Sequence, residues 1–340
     1  MPKVNEPTLN DLVCRAFERT GMRSDMARDA AGVLVTTEMM GIRTHGLARV
    51  EPYAARLRDG GVNPAALPII TAPAPALRQV DGQNGLGAAV ALRATQAAMQ
   101  AAREVGLGAA FCRGSSHLGA LAPQLHLAAE AGFAAFFCTN TSPMIAPPGG
   151  QRPVIGNTPL GIALPDQSGR HVMLDIAMSV VARSRVRQAA ARGDAIPESW
   201  ATDAAGNPTT DAAAAMQGVM QAIGGTKGAN LALCLDLLVG GLSGAAMLSE
   251  IPNANLDTQA VANVGHLFLV IDAARLMPPA ALSERLGDAR EMLSRGAAEN
   301  AAAPPRMPGT RALEKLAQAR SEGVEIETKL YARLQALAGA

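Results

Sequence analysis

A chain of 340 residues with 49% hydrophobic side chains can bury a large core, and its length predicts about two domains. A formal net charge of +1, basic residues scattered along the chain and only 3% aromatics exclude a nucleic-acid groove, which needs a basic stripe and stacking platforms. The four cysteines, Cys14, Cys112, Cys138 and Cys234, have neither C-x-x-C nor zinc-ligand spacing, and each lies in an apolar stretch where a thiol acts as a small hydrophobe.

Residues 7–20 and 24–40 read as two helices, opening near Thr8 or Asn10 and at Ser24, with apolar residues at helical spacing. A polar, Gly-flanked stretch follows at 41–49, then a helical piece from Tyr53 to Arg58. Pro64, Pro68, Pro73 and Pro75 punctuate 63–76 and predict a linker or domain crossing. Beyond 77 come an Ala-rich helix at about 86–105, an apolar run from Ala109 to Cys112, a polar turn and a helix at 118–131. The strand-like Phe133–Cys138 completes an α/β alternation. Further strands are expected at 160–164, 171–176 and 266–272, and a buried helix at 229–245. Amphipathic helices return at 280–296, 311–321 and 324–338, while Ala-rich 186–215 and 297–303 are expected as helix or ordered loop. The reading is an α/β body (75–275) between N-terminal (1–74) and C-terminal (276–340) helical segments that pack together. The N-terminus lacks the apolar core of a signal peptide, and Asn230, Asp236 and glycines interrupt 229–246, so a cytoplasmic protein without membrane spans is expected.

No G-x-G-x-x-G, P-loop, H-E-x-x-H or G-x-S-x-G motif occurs, and His45, His117, His126, His171 and His266 show no metal-ligand spacing, so no metal is expected. Polar islands remain. In Thr44-His45 with Arg49 four residues on, a helical turn would put imidazole and guanidinium on one face. Such a pair suits a carbonyl beside a carboxylate: the fork grips the carboxylate and the ring donates a proton. The same residues fit a capping His and a solvated Arg equally well. Gly114–Ala120, between strand and helix, could collect amides around an anion, or be an ordinary loop capped by Ser. Asp175 closes an apolar strand, where burial demands a partner: an imidazole elsewhere in the fold, or the next helix's amides. Gly224–Gly228 opens a helix and could hold an anion through Lys227, and Arg306–Arg311 forms a basic turn.

In order, GIRTHGLAR, SSHLGA, GGQRPVIGNTPLGIALP, LDIA, PTTD, GGTKG and RMPGTR, over about residues 8–312, resemble the malate/L-lactate dehydrogenase-like family. That group includes ureidoglycolate, sulfolactate and diketogulonate enzymes and piperideine/pyrroline-carboxylate reductases. The resemblance implies a non-Rossmann NAD(P)-binding α/β domain, a helical domain formed by both terminal segments, and a homodimer. It matches His45 to the proton donor, Thr44 to a relay hydroxyl, Asp175 to the carboxylate supporting the imidazole, and Arg49, Met173 and Leu174 to the substrate site. His117, Leu118, Gly119, Ala120, Leu121, Thr158, Gly225, Lys227, Arg306, Pro308, Gly309, Thr310 and Arg311 fall at cofactor positions. The implied reaction is hydride transfer between NAD(P)H and a small 2-oxo or 2-hydroxy acid. A reductase of 2-imino acids and a non-catalytic ligand-binding relative are the alternatives. Arg306 and Arg311 tilt the cofactor toward NADP. Departures from the family pattern at Arg183-Ser184-Arg185, Ala229-Asn230 and Thr310 leave substrate and cofactor preference open.

Overall fold

The structure, a computed structural model, describes residues 1–254, 256–298 and 305–340. The part of the Ala-rich 297–303 stretch from 299 onward therefore lies outside the described residues. In chain order the elements are β1 (Lys3–Val4), α1 (Glu6–Glu18), α2 (Ser24–Met39), α3 (Val50–Asp59), β2 (Ile69–Ala74), β3 (Leu77–Asp81) and α4 (Gly87–Val105). Then follow β4 (Leu107–Ser115), α5 (Ala122–Glu130), β5 (Phe133–Thr139), β6 (Leu160–Leu164), β7 (Val172–Ile176), α6 (Arg183–Arg192) and α7 (Ala212–Ala215). The chain continues with α8 (Thr226–Ser243), β8 (Val264–Asp272), α9 (Pro279–Arg295), α10 (Thr310–Glu322), β9 (Val324–Glu325) and α11 (Thr328–Ala338).

The first helix shows why local sequence dictates local structure. Asn5 accepts the Thr8 amide at 2.9 Å, Pro7 sits in the first turn, and Leu9, Leu12, Val13, Ala16 and Phe17 bury one face. The chain ends close together: β1 pairs antiparallel with β9, α11 packs on α1 and α3, and α10 packs on α2. Leu316, Leu334 and Ile326 thereby join the same apolar core as Leu9 and Phe17.

The main sheet has seven strands in the order β2-β3-β4-β8-β5-β6-β7. Only β3 and β4 pair in parallel, joined by the long crossover that α4 supplies; every other pairing is antiparallel. This is no doubly wound dinucleotide fold, in keeping with the absent glycine fingerprint. The central strands β5 and β8 are apolar nearly throughout because both faces are covered. Phe137, Phe268 and Val270 join the core beneath α4 and α5, while Cys138 and Leu267 pack with Leu235 and Val239 of α8. The alanines of α4 let it settle onto β4 so closely that a Cβ at Gly108 would collide with the Ala98 carbonyl. A smaller core built from Ile145, Ile155, Met178, Ile196 and Met220 underlies the loop-rich excursion between β5 and α8.

Four expectations need correction. Residues 69–74 are no linker but the edge strand of a hairpin with β3, where Pro73 is tolerated because a sheet edge needs no partner for every amide. The helix expected from 118 starts at Ala122, since Gly119 takes a left-handed φ of 94°. Residues 324–325 are strand, because Gly323 breaks the helical run. Cys234 is exposed, not buried among apolar neighbours. Among the described residues no helix is long and apolar enough to cross a membrane.

Phe137 and Phe268 are fully buried and meet edge-to-face with centroids 5.1 Å apart. Phe137→Ala should lower unfolding free energy by about 3–5 kcal/mol in a denaturant titration; a loss under about 1 kcal/mol would show that this pair is not central to the core.

Candidate active site

The strand register brings the ends of β4, β5 and β7 and the starts of β6 and β8 to one edge of the sheet. The polar islands collect there. Behind α2 the chain turns tightly: Glu38, buried, accepts the Leu47 amide at 3.0 Å, and a Cβ at Gly46 would lie 2.9 Å from Glu38 Cα. Burial raises the Glu38 carboxyl above its usual range. This turn presents His45. Its Nδ1 is 2.9 Å from Thr44 Oγ1, and Arg49 Nε donates to the Thr44 carbonyl at 2.7 Å. The Arg49 terminal nitrogens have no hydrogen bond among the described residues, so the guanidinium is oriented with its outer edge available. Burial, and then the Arg49 charge, push the His45 imidazole down to about 4.

His117 lies beside it, ring centroids 5.7 Å apart, and its Nδ1 is 2.6 Å from the Tyr53 hydroxyl. Burial drives His117 well below its usual range and pushes Tyr53 up to about 12, so the ring stays neutral and the phenol keeps its proton. Gly119 approaches the His45 carbonyl, where a Cβ would stand at 3.4 Å. Leu118 and Ala120 are buried beneath this segment. The amides of Leu121 and Ala122 both donate to Asp175 Oδ2 at 2.9 Å. Burial outweighs those two bonds and raises Asp175 to about 6. Among the described residues no hydrogen bond joins Asp175 to a histidine.

Two residues before Asp175, the Met173 amide donates to the Pro308 carbonyl at 3.0 Å, with Leu174 half-buried between them in sequence. Gly309, at φ 89°, lies so near Met173 that a Cβ would stand 2.7 Å from its Cβ. Thr310 caps back to the Met307 carbonyl at 2.8 Å. Arg306 is taken up by Glu314 at 3.0 Å in an exposed pair, while Arg311 is exposed and without an ion pair among the described residues. Thr158 is buried at φ 22°. Its neighbour Asn157 accepts the Met178 amide at 2.7 Å, and the Met178 carbonyl accepts the Ile223 amide at 2.9 Å. The segment leaving β7 thus links Thr158 to Gly225 and Lys227. There α8 begins without a side-chain cap, open space surrounds Gly224 and Gly225, and a cleft of about 290 Å³ runs on past Pro147 to Gln151.

Two site neighbours escaped the sequence reading, Tyr53 and Glu38. The signal was present: one of only two tyrosines in the chain, and a carboxylate on the otherwise uncharged end of a helix. The other histidines have structural partners. His266 bridges Thr139 and Ser115 hydroxyls at 2.7 and 2.8 Å, and burial lowers it to about 3. His126, Glu130 and His171 gather although their spacing showed no ligand pattern. The Asp166 amide donates to His171 Nδ1 at 3.0 Å, which puts the ring proton on Nε2, where it donates to Glu130 at 2.7 Å. A metal would need that nitrogen's lone pair, so this hydrogen bonding disfavours one.

The chain matches the sequence profile described as malate/L-lactate dehydrogenase over residues 4–335. The chain belongs to this family. A (2R)-3-sulfolactate dehydrogenase (NADP(+)) of Chromohalobacter salexigens is 33% identical over 96% of this chain and 95% of its own length. A Delta(1)-pyrroline-2-carboxylate reductase of Ancylobacter novellus is 31% identical over the same shares, 96% and 95%. The crystal structure of the delta1-piperideine-2-carboxylate reductase from Pseudomonas syringae pvar. tomato superposes with a TM-score of 0.90 at 27% identity, covering 99% of this chain and 100% of that one. As a family member the protein is an oxidoreductase with a mixed α/β architecture around a central sheet.

Across this dehydrogenase-family protein, the buried rings set the acid limb of stability. His45, His117, His126 and His266 are depressed, so on acidification from about pH 6.5 the unfolded chain takes up protons that the folded one refuses. Asp175, raised to about 6, works in the opposite sense below that pH, as Glu38 and Asp236 do, but the four imidazoles begin to titrate first. The denaturant midpoint should therefore fall from pH 7 to pH 5; a flat or rising midpoint would contradict these assignments.

Proposed function

We propose that the protein transfers hydride between NAD(P)H and a small 2-oxo or 2-hydroxy acid, with His45 exchanging the proton on the substrate oxygen. The observation carrying this reading is the Thr44–His45–Arg49 turn: the backbone holds the guanidinium through Nε, and the outer fork stands beside an imidazole tied at Nδ1. Nε2 is then the nitrogen that donates to the forming alkoxide in reduction or accepts the hydroxyl proton in oxidation. Arg49 would hold the carboxylate, with Met173 and Leu174 beside it. The nicotinamide ring supplies or takes the hydride when bound.

The donor set fits a dinucleotide. The uncapped start of α8 with Lys227, and the open cleft beside Gly225, suit an extended anionic ligand. The start of α5 suits a phosphate less well, because Asp175 occupies two of its amides. Segment 117–121, Thr158 and Pro308–Arg311 complete the cofactor side. With Arg306 taken up by Glu314, Arg311 is the arginine of this turn without an ion pair among the described residues, and as a candidate for a 2′-phosphate it tilts the choice toward NADP. We propose that residues 1–74 and 276–340 form one helical domain and 75–275 the cofactor domain, except that β2 (Ile69–Ala74) pairs into the main sheet and so falls with the latter. The β1–β9 pairing and the packing of α10 and α11 support the reading. A homodimer is part of the proposal, and Leu231, Leu238 and Leu242 on exposed α8 offer an apolar face for it.

A second reading, reduction of cyclic 2-imino acids, is favoured by the low titration of His45, since a protonated imine brings its own proton. The two pyrroline- and piperideine-type relatives support it. A panel of pyruvate, oxaloacetate, sulfopyruvate and piperideine-2-carboxylate, followed at NAD(P)H absorbance, separates the two readings. No turnover of any of them with either cofactor would sink both. His45→Ala should lower kcat by roughly 10²–10⁴-fold while cofactor binding survives. Arg49→Lys should raise KM for the acid by about tenfold or more, because the planar fork is lost.

A further inference from the structure

The segment from His117 to Leu121 belongs to no helix or strand, yet it lies directly against His45. Side chains from distant parts of the chain hold both of its ends. At the first end the Tyr53 hydroxyl from α3 meets His117 Nδ1 at 2.6 Å. At the other end Asp175, at the end of β7, accepts the Leu121 and Ala122 amides through one oxygen, at 2.9 Å each. Those amides open α5, whose N-cap position is Leu121, a residue with no side-chain acceptor to offer. A carboxylate from another element therefore satisfies the N-cap and N1 amides, free donors of the helix start that a cap side chain, which reaches N2 or N3, would leave unpaired.

We propose that Asp175 is a positioning residue that acts on segment 117–121 as a remote helix cap, with Tyr53 fixing the segment's other end, and that it does not support the His45 ring. The two contacts have different chemistry. Asp175 contributes a charge-assisted acceptor at the positive end of a helix. Tyr53 contributes a direction: among the described residues its hydroxyl has no other hydrogen-bond partner, so it donates to Nδ1 and the ring proton resides on Nε2. His117 then presents a neutral N–H donor near His45, matched to a carbonyl-type oxygen, whether on a carboxamide or on the substrate. That last assignment rests on the function proposed above; the clamp itself does not.

Hydrogen exchange followed by mass spectrometry on the full chain, without ligand, tests the clamp directly. In Asp175→Asn, which keeps the shape and one carbonyl acceptor, amides in 117–122 should exchange about tenfold faster while β8 and α1 stay protected. In Tyr53→Phe the acceleration should centre on 117–118. KM for NADH or NADPH should rise in Asp175→Asn by more than kcat falls. For Tyr53→Phe, a rise confined to the cofactor KM identifies a carboxamide as the acceptor, and one confined to the acid KM identifies the substrate. Unchanged exchange at 117–122 together with a displaced kcat–pH profile in Asp175→Asn would overturn the proposal in favour of imidazole support. If Asp175→Asn exchanges faster throughout the molecule, Tyr53→Phe decides, and normal exchange at 117–118 then counts against the clamp. A wild-type protein that binds neither NADH nor NADPH would count against the functional reading alone, since the exchange comparison needs no cofactor.

Discussion

Asp175 lies at the end of β7, an edge of the main sheet, and the first free amides of α5 turn toward it across 2.9 Å. A carboxylate there would be costly without compensation, because burial lifts its titration to about 6 even with both amide bonds in place. The helix start would be costly as well, with amides facing a leucine cap. Each group satisfies the other, and the geometry of the site follows from the pairing. It sets where segment 117–121 runs, and hence how near that segment comes to His45. It also fixes the stretch of β7 on which Pro308 and Gly309 rest, which brings the late loop to the same edge.

The sheet explains why polar groups collect at this edge. Its central strands are covered on both faces, so a polar side chain within them needs an internal partner, as His266 finds in Ser115 and Thr139. At the strand ends the chain has fewer apolar constraints, and loops from distant parts of the sequence meet. Because most pairings are antiparallel, the exits of β4, β5 and β7 fall on one side without any doubly wound crossover. A dinucleotide site in such a sheet has to be assembled from loops and an uncapped helix start, and a single glycine-rich turn is not required of it.

How much of this was legible in the sequence depended on the range of the interaction. The periodicity of 7–20 and 24–40 and the alanines of 86–105 gave helices within a residue or two of those observed, and the apolar runs at 133–138 and 266–272 marked the two central strands. Local patterns decide such elements. The hairpin of β2 and β3 was hidden because prolines that signal a linker are also tolerated on an edge strand. Tyr53 and His117 are 64 positions apart, and Asp175 and Leu121 are 54 apart, so nothing in either neighbourhood could announce the pairing. The cap reading of Asp175 was open from sequence, but the helix it meets precedes β7 where the following one was expected. Arg306 shows the converse: a basic turn suggests a phosphate, and only the fold reveals Glu314 beside the charge.

On the function proposed above, the electrostatics of His45 would tie substrate binding to proton transfer. Burial, and after it the Arg49 charge, hold the imidazole down to about 4, so the free ring is neutral at ordinary pH. A carboxylate bound by the guanidinium fork would cancel much of that repulsion and place a negative charge close to the ring, both of which favour imidazolium. An acid bearing a neighbouring carbonyl would thus raise the proton affinity of its own donor on arrival, whereas a ligand lacking the carboxylate would leave His45 neutral. Selectivity for 2-oxo or 2-imino acids would then need no large change in the fold. On the proposed function it would follow from one arginine held by the carbonyl of the residue before the histidine, whose charge adds to the effect of burial on the ring.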